Sequence, residues 1–120
     1  MNKIANSSGF TLIEIMIAMF VLAVGLLGAA GVVITVINGN ALSKEITTAT
    51  TLAQDKMEEL KGTTYLSIAP GSDTQESIYT RTWTVTSDSP VTGMKTIDIV
   101  VAFSWKGSPH NVTLQTMVGQ

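Results

Sequence analysis

The stretch SSGFTLIEIMIAMFVLAVGLLGAAGVVITVI, residues 7–37, decides the architecture of this chain of 120 residues. Residues 10–37 carry a single charge, that of Glu14. A helix over this range would be about 42 Å long, and roughly 20 residues suffice to cross a bilayer. The stretch therefore predicts a membrane-spanning helix, and Glu14 needs an explanation because a carboxylate in lipid is costly.

Three glycines recur at intervals of three within the apolar run: Gly25, Gly28 and Gly31. Small residues let a second helix approach closely in a membrane, although glycine also loosens the helical backbone. The pattern fits a helix-packing seam, and it fits equally a lipid-facing helix whose glycines have no partner.

Two ordinary interpretations of the apolar run leave Glu14 unexplained. One is a permanent single-span anchor. The other is a secretory signal, with Lys3 in its basic region and the tripeptide GAA at 28–30 as a small-residue cleavage site. On an insertion scale a charge at the helix centre costs about 2.5–3.5 kcal/mol, and neither interpretation compensates that cost.

A third interpretation comes from the polar leader MNKIANSSG, residues 1–9, and the residues FTLIE that follow it. A glycine, a phenylalanine, TLIE and then an uncharged apolar helix resemble the prepilin processing site of bacterial type IV pilins and type II secretion pseudopilins. The resemblance implies that a membrane prepilin peptidase cleaves the Gly9–Phe10 bond and methylates the new N-terminus at Phe10.

Cleavage at Gly9 would supply a counter-ion for Glu14. The new α-amino group at Phe10 has an ordinary pKa of about 7.7–8.0, and it would lie about 6 Å along the helix axis from Glu14. A neighbouring subunit shifted by one helical turn could place its amine beside this carboxylate, which predicts a register-setting charge. The alternative is a first-turn glutamate that the helix dipole favours within its own chain.

The sequence after residue 37 predicts a small α+β domain, residues 38–120. A helix over 41–61 has an apolar stripe, and Gly62 is its expected C-cap. After a loop at Pro70 to Asp73, three alternating patterns predict an antiparallel sheet over 77–118 that covers this stripe. The stripe consists of Leu42, Ile46, Ala49, Ala53, Met57 and Leu60. The inward strand residues are Tyr79, Trp83 and Val85, then Ile97, Ile99, Val101, Phe103 and Trp105, then Val112, Leu114 and Val118.

The two helical patterns, separated by Asn38-Gly39-Asn40, predict one long, gently bent helix of about 50 residues. Major pilins often carry a proline partway along this helix, and here Gly31 stands at the corresponding place, so a kink or local melting stays open. The C-terminal strands resemble those of PilV-type minor pilins. The chain has no cysteine, so the disulfide-closed loop of many major pilins cannot be present, which favours a minor subunit.

Several function classes receive no support from the composition. The chain has one histidine, His110, which falls in a predicted turn, and we find no nucleophile-base pair, phosphate-binding loop or spaced metal ligands. We therefore expect no enzymatic activity, no cofactor and no metal. The net charge is −2 and the basic residues are scattered, so no nucleic-acid partner is evident.

The resemblance implies a bacterial minor pilin anchored once in the inner membrane, with its globular domain in the periplasm before it enters a pilus. Its partners would be the prepilin peptidase, other pilin or pseudopilin subunits and the assembly platform. One alternative is a minor pseudopilin of a type II secretion system. Another is a secreted binding domain, released by signal peptidase after Ala30. Roles in adhesion, motility or DNA uptake stay open.

Overall fold

The fold is α+β, with one long N-terminal helix and a four-stranded antiparallel sheet, an arrangement like that of type IV pilins. The computed structural model describes residues 9–120. The helix, α1, spans Leu12–Gly62, and a single 3₁₀ turn follows at Tyr65–Ser67. The strands are β1 (Gly71–Gln75), β2 (Tyr79–Ser87), β3 (Met94–Trp105) and β4 (Ser108–Gly119). The chain divides into two compact units between Gly39 and Asn40.

The first unit contains the apolar part of α1. Thr11 caps the helix: its Oγ1 accepts a hydrogen bond from the Glu14 N–H at 3.3 Å, and its carbonyl oxygen accepts one from the same N–H at 3.1 Å. A threonine followed three residues later by glutamate is the sequence signature of a capping box. Residues 9–37 are all exposed.

The helix continues through Asn38-Gly39-Asn40 without interruption and is 51 residues long. This confirms the prediction of one long helix. Three helical residues of low propensity cost about 2 kcal/mol together, which the packing of the following turns can offset. The helix ends at Gly62, the residue expected at its C-terminus.

In the second unit, the sheet has four strands in the order β1-β2-β3-β4, so the prediction of three strands was wrong. The missed strand, β1, falls in the segment predicted as a loop and pairs with β2 from Gly71 opposite Trp83 to Gln75 opposite Tyr79. Gly71 is required here because a Cβ would lie 2.6 Å from Cζ2 of the Trp83 indole. The sheet therefore begins at residue 71 and ends at residue 119 rather than spanning 77–118.

The core of the second unit forms where the second half of α1 packs on the sheet. The predicted strand alternation is confirmed, with Ile97, Ile99 and Val101 completely buried. The predicted helix stripe is partly wrong: Ala49, Ala53 and Leu60 are buried, but Ile46 is 41% exposed. The buried members of the core are Ala49, Ala53, Leu60, Ile68, Tyr79, Ile97, Ile99, Val101 and Phe103.

The β3–β4 turn is tighter than the sequence suggested. Lys106 and Gly107 both have positive φ, 49° and 81°, as a two-residue type I′ hairpin requires. Strand β4 consequently begins at Ser108, and His110 lies within it rather than in a turn. The imidazole of His110 stacks on the Phe103 ring with centroids 5.5 Å apart, so its environment is half-buried and aromatic.

Candidate processing and assembly site

The Gly9–Phe10 bond lies in exposed, non-helical backbone just before the Thr11 cap. Phe10 is 80% exposed, and an added Cβ at Gly9 would meet no atom of the described residues within 4 Å. A protease needs an extended segment that it can bind along its backbone, and a helix does not offer one. The position of the bond outside the helix therefore suits cleavage.

Glu14 lies in the first turn of α1, on the same side of the helix as Phe10. Both residues line a shallow groove together with Ile15, Ala18, Met19 and Leu22. Within residues 9–120, the Glu14 carboxylate has no basic side chain at ion-pair distance. The hydrogen bonds to Thr11 use the backbone N–H of Glu14 and leave its carboxylate unpaired in the described part of the chain. Among residues 9–120, the alternative of a charge satisfied within its own chain is supported by the helix dipole and by no ion pair.

The three predicted packing glycines, Gly25, Gly28 and Gly31, lie on the exposed part of α1. A Cβ added to any of them would meet nothing within 4 Å. The hydroxyl of Thr35 donates a hydrogen bond of 3.1 Å to the Gly31 carbonyl oxygen, a contact that often accompanies local bending of helices. A role of these glycines in helix packing stays a prediction.

The apolar part of α1 is long and apolar enough to cross a membrane, and its most apolar window has no buried residue. Large side chains such as Phe20, Leu27 and Ile34 are each more than 60% exposed. A contiguous apolar surface of this size is rare on soluble monomers and marks contact with lipid or with another protein. It is consistent with membrane anchoring.

Sequence reasoning missed three basic side chains that are buried in the second unit: Lys56, Arg81 and Lys95. Each has partners that satisfy its charge or its donors. Lys56 Nζ lies 4.0 Å from the centre of the Trp83 ring and 2.8 Å from Glu59 Oε1. The long alkyl stems of basic residues let them cover apolar surface. A basic residue on a strand or on a helix stripe therefore need not face the solvent.

Arg81 shows why the sheet tolerates a charge on its core side. Its Nε donates to Asp73 Oδ1 at 2.7 Å, and its Nη1 donates to the Leu52 carbonyl oxygen at 3.2 Å. The hydrogen bond from Arg81 lowers the pKa of the Asp73 carboxyl, and the same bond raises the pKa of Arg81. The alternation of β2 could have predicted that Arg81 faces the core, because Arg81 lies between the inward residues Tyr79 and Trp83.

Two further contacts, made by Lys95 and Tyr79, attach other segments of the chain to the sheet. Lys95 Nζ donates to the carbonyl oxygens of Tyr65 at 2.8 Å and Ile68 at 3.1 Å, which fixes the segment around the 3₁₀ turn. The Tyr79 hydroxyl donates a hydrogen bond to the Glu45 carboxylate. Burial, and next the neighbouring Glu45, raise the pKa of Tyr79 above its ordinary value of 10.0. These groups have structural partners, and within residues 9–120 no three histidine or carboxylate side chains are grouped to hold a metal ion.

Comparison with known protein families supports the interpretation of the N-terminal region. The family model described as the prokaryotic N-terminal methylation motif matches residues 4–30, which include Gly9, Phe10 and Glu14. No curated protein and no solved structure gave a significant match. The matched motif and the α+β arrangement support a type IV pilin or pseudopilin, a structural and membrane-associated class that is processed by prepilin peptidase and assembles with other pilins.

Proposed function

We propose that this protein is a minor pilin, a structural subunit of a bacterial type IV pilus. It is made as a prepilin, anchored once in the inner membrane with its globular domain in the periplasm, and cleaved between Gly9 and Phe10. It then enters the filament through the apolar part of α1. The single observation that carries this proposal is the methylation motif, matched over residues 4–30, at the start of an apolar helix without internal cover.

The proposed assembly step pairs Glu14 with the α-amino group of Phe10 in a neighbouring subunit. The carboxylate has no ion-pair partner among residues 9–120, and it shares one side of the helix with Phe10. N-methylation keeps the amine cationic. In a low-dielectric environment an unpaired carboxylate is strongly penalised, so pairing would favour the register in which amine and carboxylate meet. The glycines at 25, 28 and 31 would let neighbouring helices approach in the same filament.

Three features favour a minor subunit over the main filament protein. The chain lacks cysteine, so no disulfide closes a C-terminal loop. The second unit, residues 40–120, is small. Its last three strands resemble those of PilV-type minor pilins. A small domain gains stability from association with neighbours, which suits a subunit that works inside an assembly.

Intact-mass analysis of the membrane-extracted protein tests the proposal. The mature chain should begin at Phe10 and carry one added methyl group. Gly9→Val should leave the precursor uncut, because a side chain there obstructs the close backbone approach of a protease. A chain that begins at Gly31 would instead identify an ordinary signal peptide and a secreted domain, and an uncut chain in cells with active prepilin peptidase would identify a plain anchor.

The second candidate is a minor pseudopilin of a type II secretion system, because the matched motif is shared by both filament classes. Deletion of the gene separates the two. A minor pilin predicts fewer surface pili or weaker twitching with normal exoprotein release. Normal piliation with blocked exoprotein release would favour the pseudopilin.

A further inference from the structure

Two turns of the sheet, β1–β2 and β3–β4, lie at the end of the second unit where α1 enters it, and they present Ile78, Trp105 and Lys106. We propose that these three residues, the base surface, rest in the headgroup layer of the phospholipid bilayer that holds the apolar part of α1. The inference rests on the proposed function, from which it takes the membrane anchor. It goes beyond that function by assigning a lipid contact to the globular domain.

Contacts between α1 and β2 show at which end of the second unit these turns lie. The Tyr79 hydroxyl donates a hydrogen bond to the Glu45 carboxylate, and Lys56 Nζ lies 4.0 Å from the centre of the Trp83 ring. Strand β2 therefore runs in the same direction as the second half of α1. The β1–β2 turn, residues 76–78, precedes β2, so it lies at the end where α1 enters the unit.

The β3–β4 turn lies at the same end. Strand β3 is antiparallel to β2, and the Phe103 ring lies 5.7 Å from the Tyr79 ring. Trp105 is two residues further along β3, or about 7 Å, and the turn at residues 106–107 follows it. A distance of about 7 Å exceeds one helical turn of 5.4 Å, which brings this turn to the level of the first residues of the second unit, close to Asn40.

The side chains of the base surface suit a membrane interface. Ile78 is 56% exposed, Trp105 is half-buried and Lys106 is exposed. Lys106 Nζ lies 5.8 Å from the centre of the Trp105 ring. Membrane proteins place tryptophan at headgroup level because the indole is apolar and carries one N–H donor, and a neighbouring ammonium group can bind lipid phosphate. The two turns contain one acid, Glu76, so their charges nearly cancel and apolar contact is the main attraction.

Chain connectivity keeps the base surface close to the bilayer. The apolar run of residues 10–37 is about 42 Å long as a helix, and a bilayer with its headgroups is about 40–45 Å thick. When the run fills the bilayer, Ile37 lies at the outer boundary of the headgroups, and Asn40 follows about 5 Å later. Spanning helices tilt by about 20° on average, which brings this end of the unit closer to the lipid. The base surface is thus within reach of headgroups at any angle between the two units.

The opposite end of the second unit provides the control. It contains Leu66 and Val91, which are 82% and 57% exposed, so apolar exposure alone does not distinguish the two ends. That end lies beyond the far end of β2, about 30 Å from the base surface. Lipid is therefore the occupant that only the base surface can reach, and the two ends should respond differently to a bilayer.

The principal test places a spin label near a turn at each end of the full chain. Because the chain has no cysteine, Ser108→Cys labels the β3–β4 turn, and Thr92→Cys is the matched control in the β2–β3 turn. Both positions are exposed. The labelled chains are placed singly in bilayer discs of phosphatidylethanolamine and phosphatidylglycerol. The measured quantity is the ratio of label collisions with O₂, which concentrates in lipid, to collisions with a water-soluble nickel chelate.

We expect this ratio to be about fivefold higher at residue 108 than at residue 92, because only residue 108 would lie in the headgroup layer. Equal ratios in a chain that floats with vesicles of the same lipids would overturn the lipid contact and leave the proposed function intact. A higher ratio only in discs that hold two chains would overturn it in favour of a contact between copies. A chain that does not float would overturn it together with the membrane anchor.

A pair of charge substitutions tests the apolar contact. Ile78→Asp places a carboxylate in the base surface, and Val91→Asp is the matched control because Val91 is equally exposed in the turn at the opposite end. With the label at residue 108, Ile78→Asp should lower the ratio to within about twofold of that at residue 92, because a carboxylate is costly in lipid. Val91→Asp should leave the ratio unchanged. Equal effects of the two substitutions would overturn the proposal.

Tryptophan emission gives a measurement on the unmodified protein. Phospholipids brominated near the headgroup quench an indole only at close range. Trp83 pairs with Ile99, six residues from Trp105 and thus about 20 Å away along β3, so the bilayer should quench Trp105 alone. We expect the total emission in brominated discs to be about a third lower than in discs of the unbrominated lipid. Equal emission in the two kinds of disc would overturn the proposal.

Discussion

The two halves of α1 obtain their burial from different sources. Residues 12–37 leave every side chain exposed, although nearly all of them are apolar, whereas the half after Asn40 buries Ala49, Ala53 and Leu60 in the core. The second half is therefore completed by its own chain. Among residues 9–120 the first half has no such cover, and an apolar surface of this size is typical of contact with lipid or with another protein. One continuous helix thus serves two environments, and substitutions in its halves should have separable effects.

The largest expected effect comes from the charge in the apolar half. Glu14→Ala should leave membrane insertion and cleavage intact, but it would leave a neighbour's amine without its carboxylate. Removing one member of a buried ion pair costs about 3–5 kcal/mol, so we expect incorporation into filaments to fall more than about a hundredfold. Immunoblots of the membrane and sheared-pilus fractions measure this.

Glu58→Ala is the matched control for the Glu14 variant, because Glu58 is exposed on the packed half of the same helix. It should enter filaments at the wild-type level. Unchanged incorporation of the Glu14→Ala protein would contradict the pairing role of Glu14 and would leave it as a first-turn residue favoured by the helix dipole.

Core substitutions should affect the second unit, which contains the second half of α1. Ile99 is completely buried in the second unit, so Ile99→Ala should lower the free energy of unfolding by about 2–5 kcal/mol. Ile17 is 57% exposed in the apolar half, and Ile17→Ala should leave domain unfolding unchanged. Tryptophan fluorescence during denaturation reports on the domain alone, because both tryptophans, Trp83 and Trp105, lie in it. Equal shifts for the two variants would show that the halves are energetically coupled.

Sequence patterns predicted the elements that depend on periodic spacing or on residues close together in the sequence. The apolar run predicted the long helix, and alternation predicted the inward residues of β2 and β3. Strand β1 was missed because Pro70, Gly71 and Asp73 are typical turn residues. What places Gly71 in a strand is a contact distant in sequence, the Trp83 ring against its backbone, and no local pattern carries that information.

The charged residues of the core were missed for a related reason. A basic residue on a strand is usually read as solvated, yet Arg81 is buried because Asp73 and the Leu52 carbonyl oxygen satisfy its donors. Likewise, Ile46 belongs to the apolar stripe by spacing but lies where the sheet does not cover it. Of the processing site, the motif itself was readable from sequence, and the Thr11 cap could have been predicted as well, because Thr11 and Glu14 have the spacing of a capping box.

Two glycine substitutions, one in the sheet and one in the apolar half of α1, should have smaller effects. Gly71→Ala would place a Cβ 2.6 Å from the Trp83 ring, and it would disturb the hydrogen bond from Trp83 Nε1 to the Ala69 carbonyl oxygen. Overpacking of this kind costs about 1–3 kcal/mol. A Cβ at Gly28 would meet no atom within 4 Å among residues 9–120, so Gly28→Ala should leave domain stability unchanged.

Filament incorporation of the Gly28→Ala protein then reports on the glycine seam alone. A loss of incorporation at constant domain stability would support close helix packing at Gly28, and normal incorporation would favour lipid contact. For Gly71→Ala, thermal unfolding followed by tryptophan fluorescence should move to lower temperature. An unchanged transition would mean that the indole ring shifts without cost.

The smallest expected effect concerns Asp73, a carboxylate whose partner lies in its own chain, in contrast to Glu14. Arg81 holds the pKa of Asp73 below its ordinary value of 3.8 in the folded protein. The unfolded chain therefore binds a proton more readily, and the stabilisation is present above pH 3.8 and is lost as the pH falls through the lower folded value. The Asp73 side chain is 33% exposed, and water screens such pairs, so we expect about 1 kcal/mol or less. Asp73→Asn should flatten the acid limb of stability against pH in denaturant titrations. An acid limb that is identical in wild type and Asp73→Asn would show that other carboxylates control acid unfolding, and that the ion pair of the packed domain contributes nothing measurable.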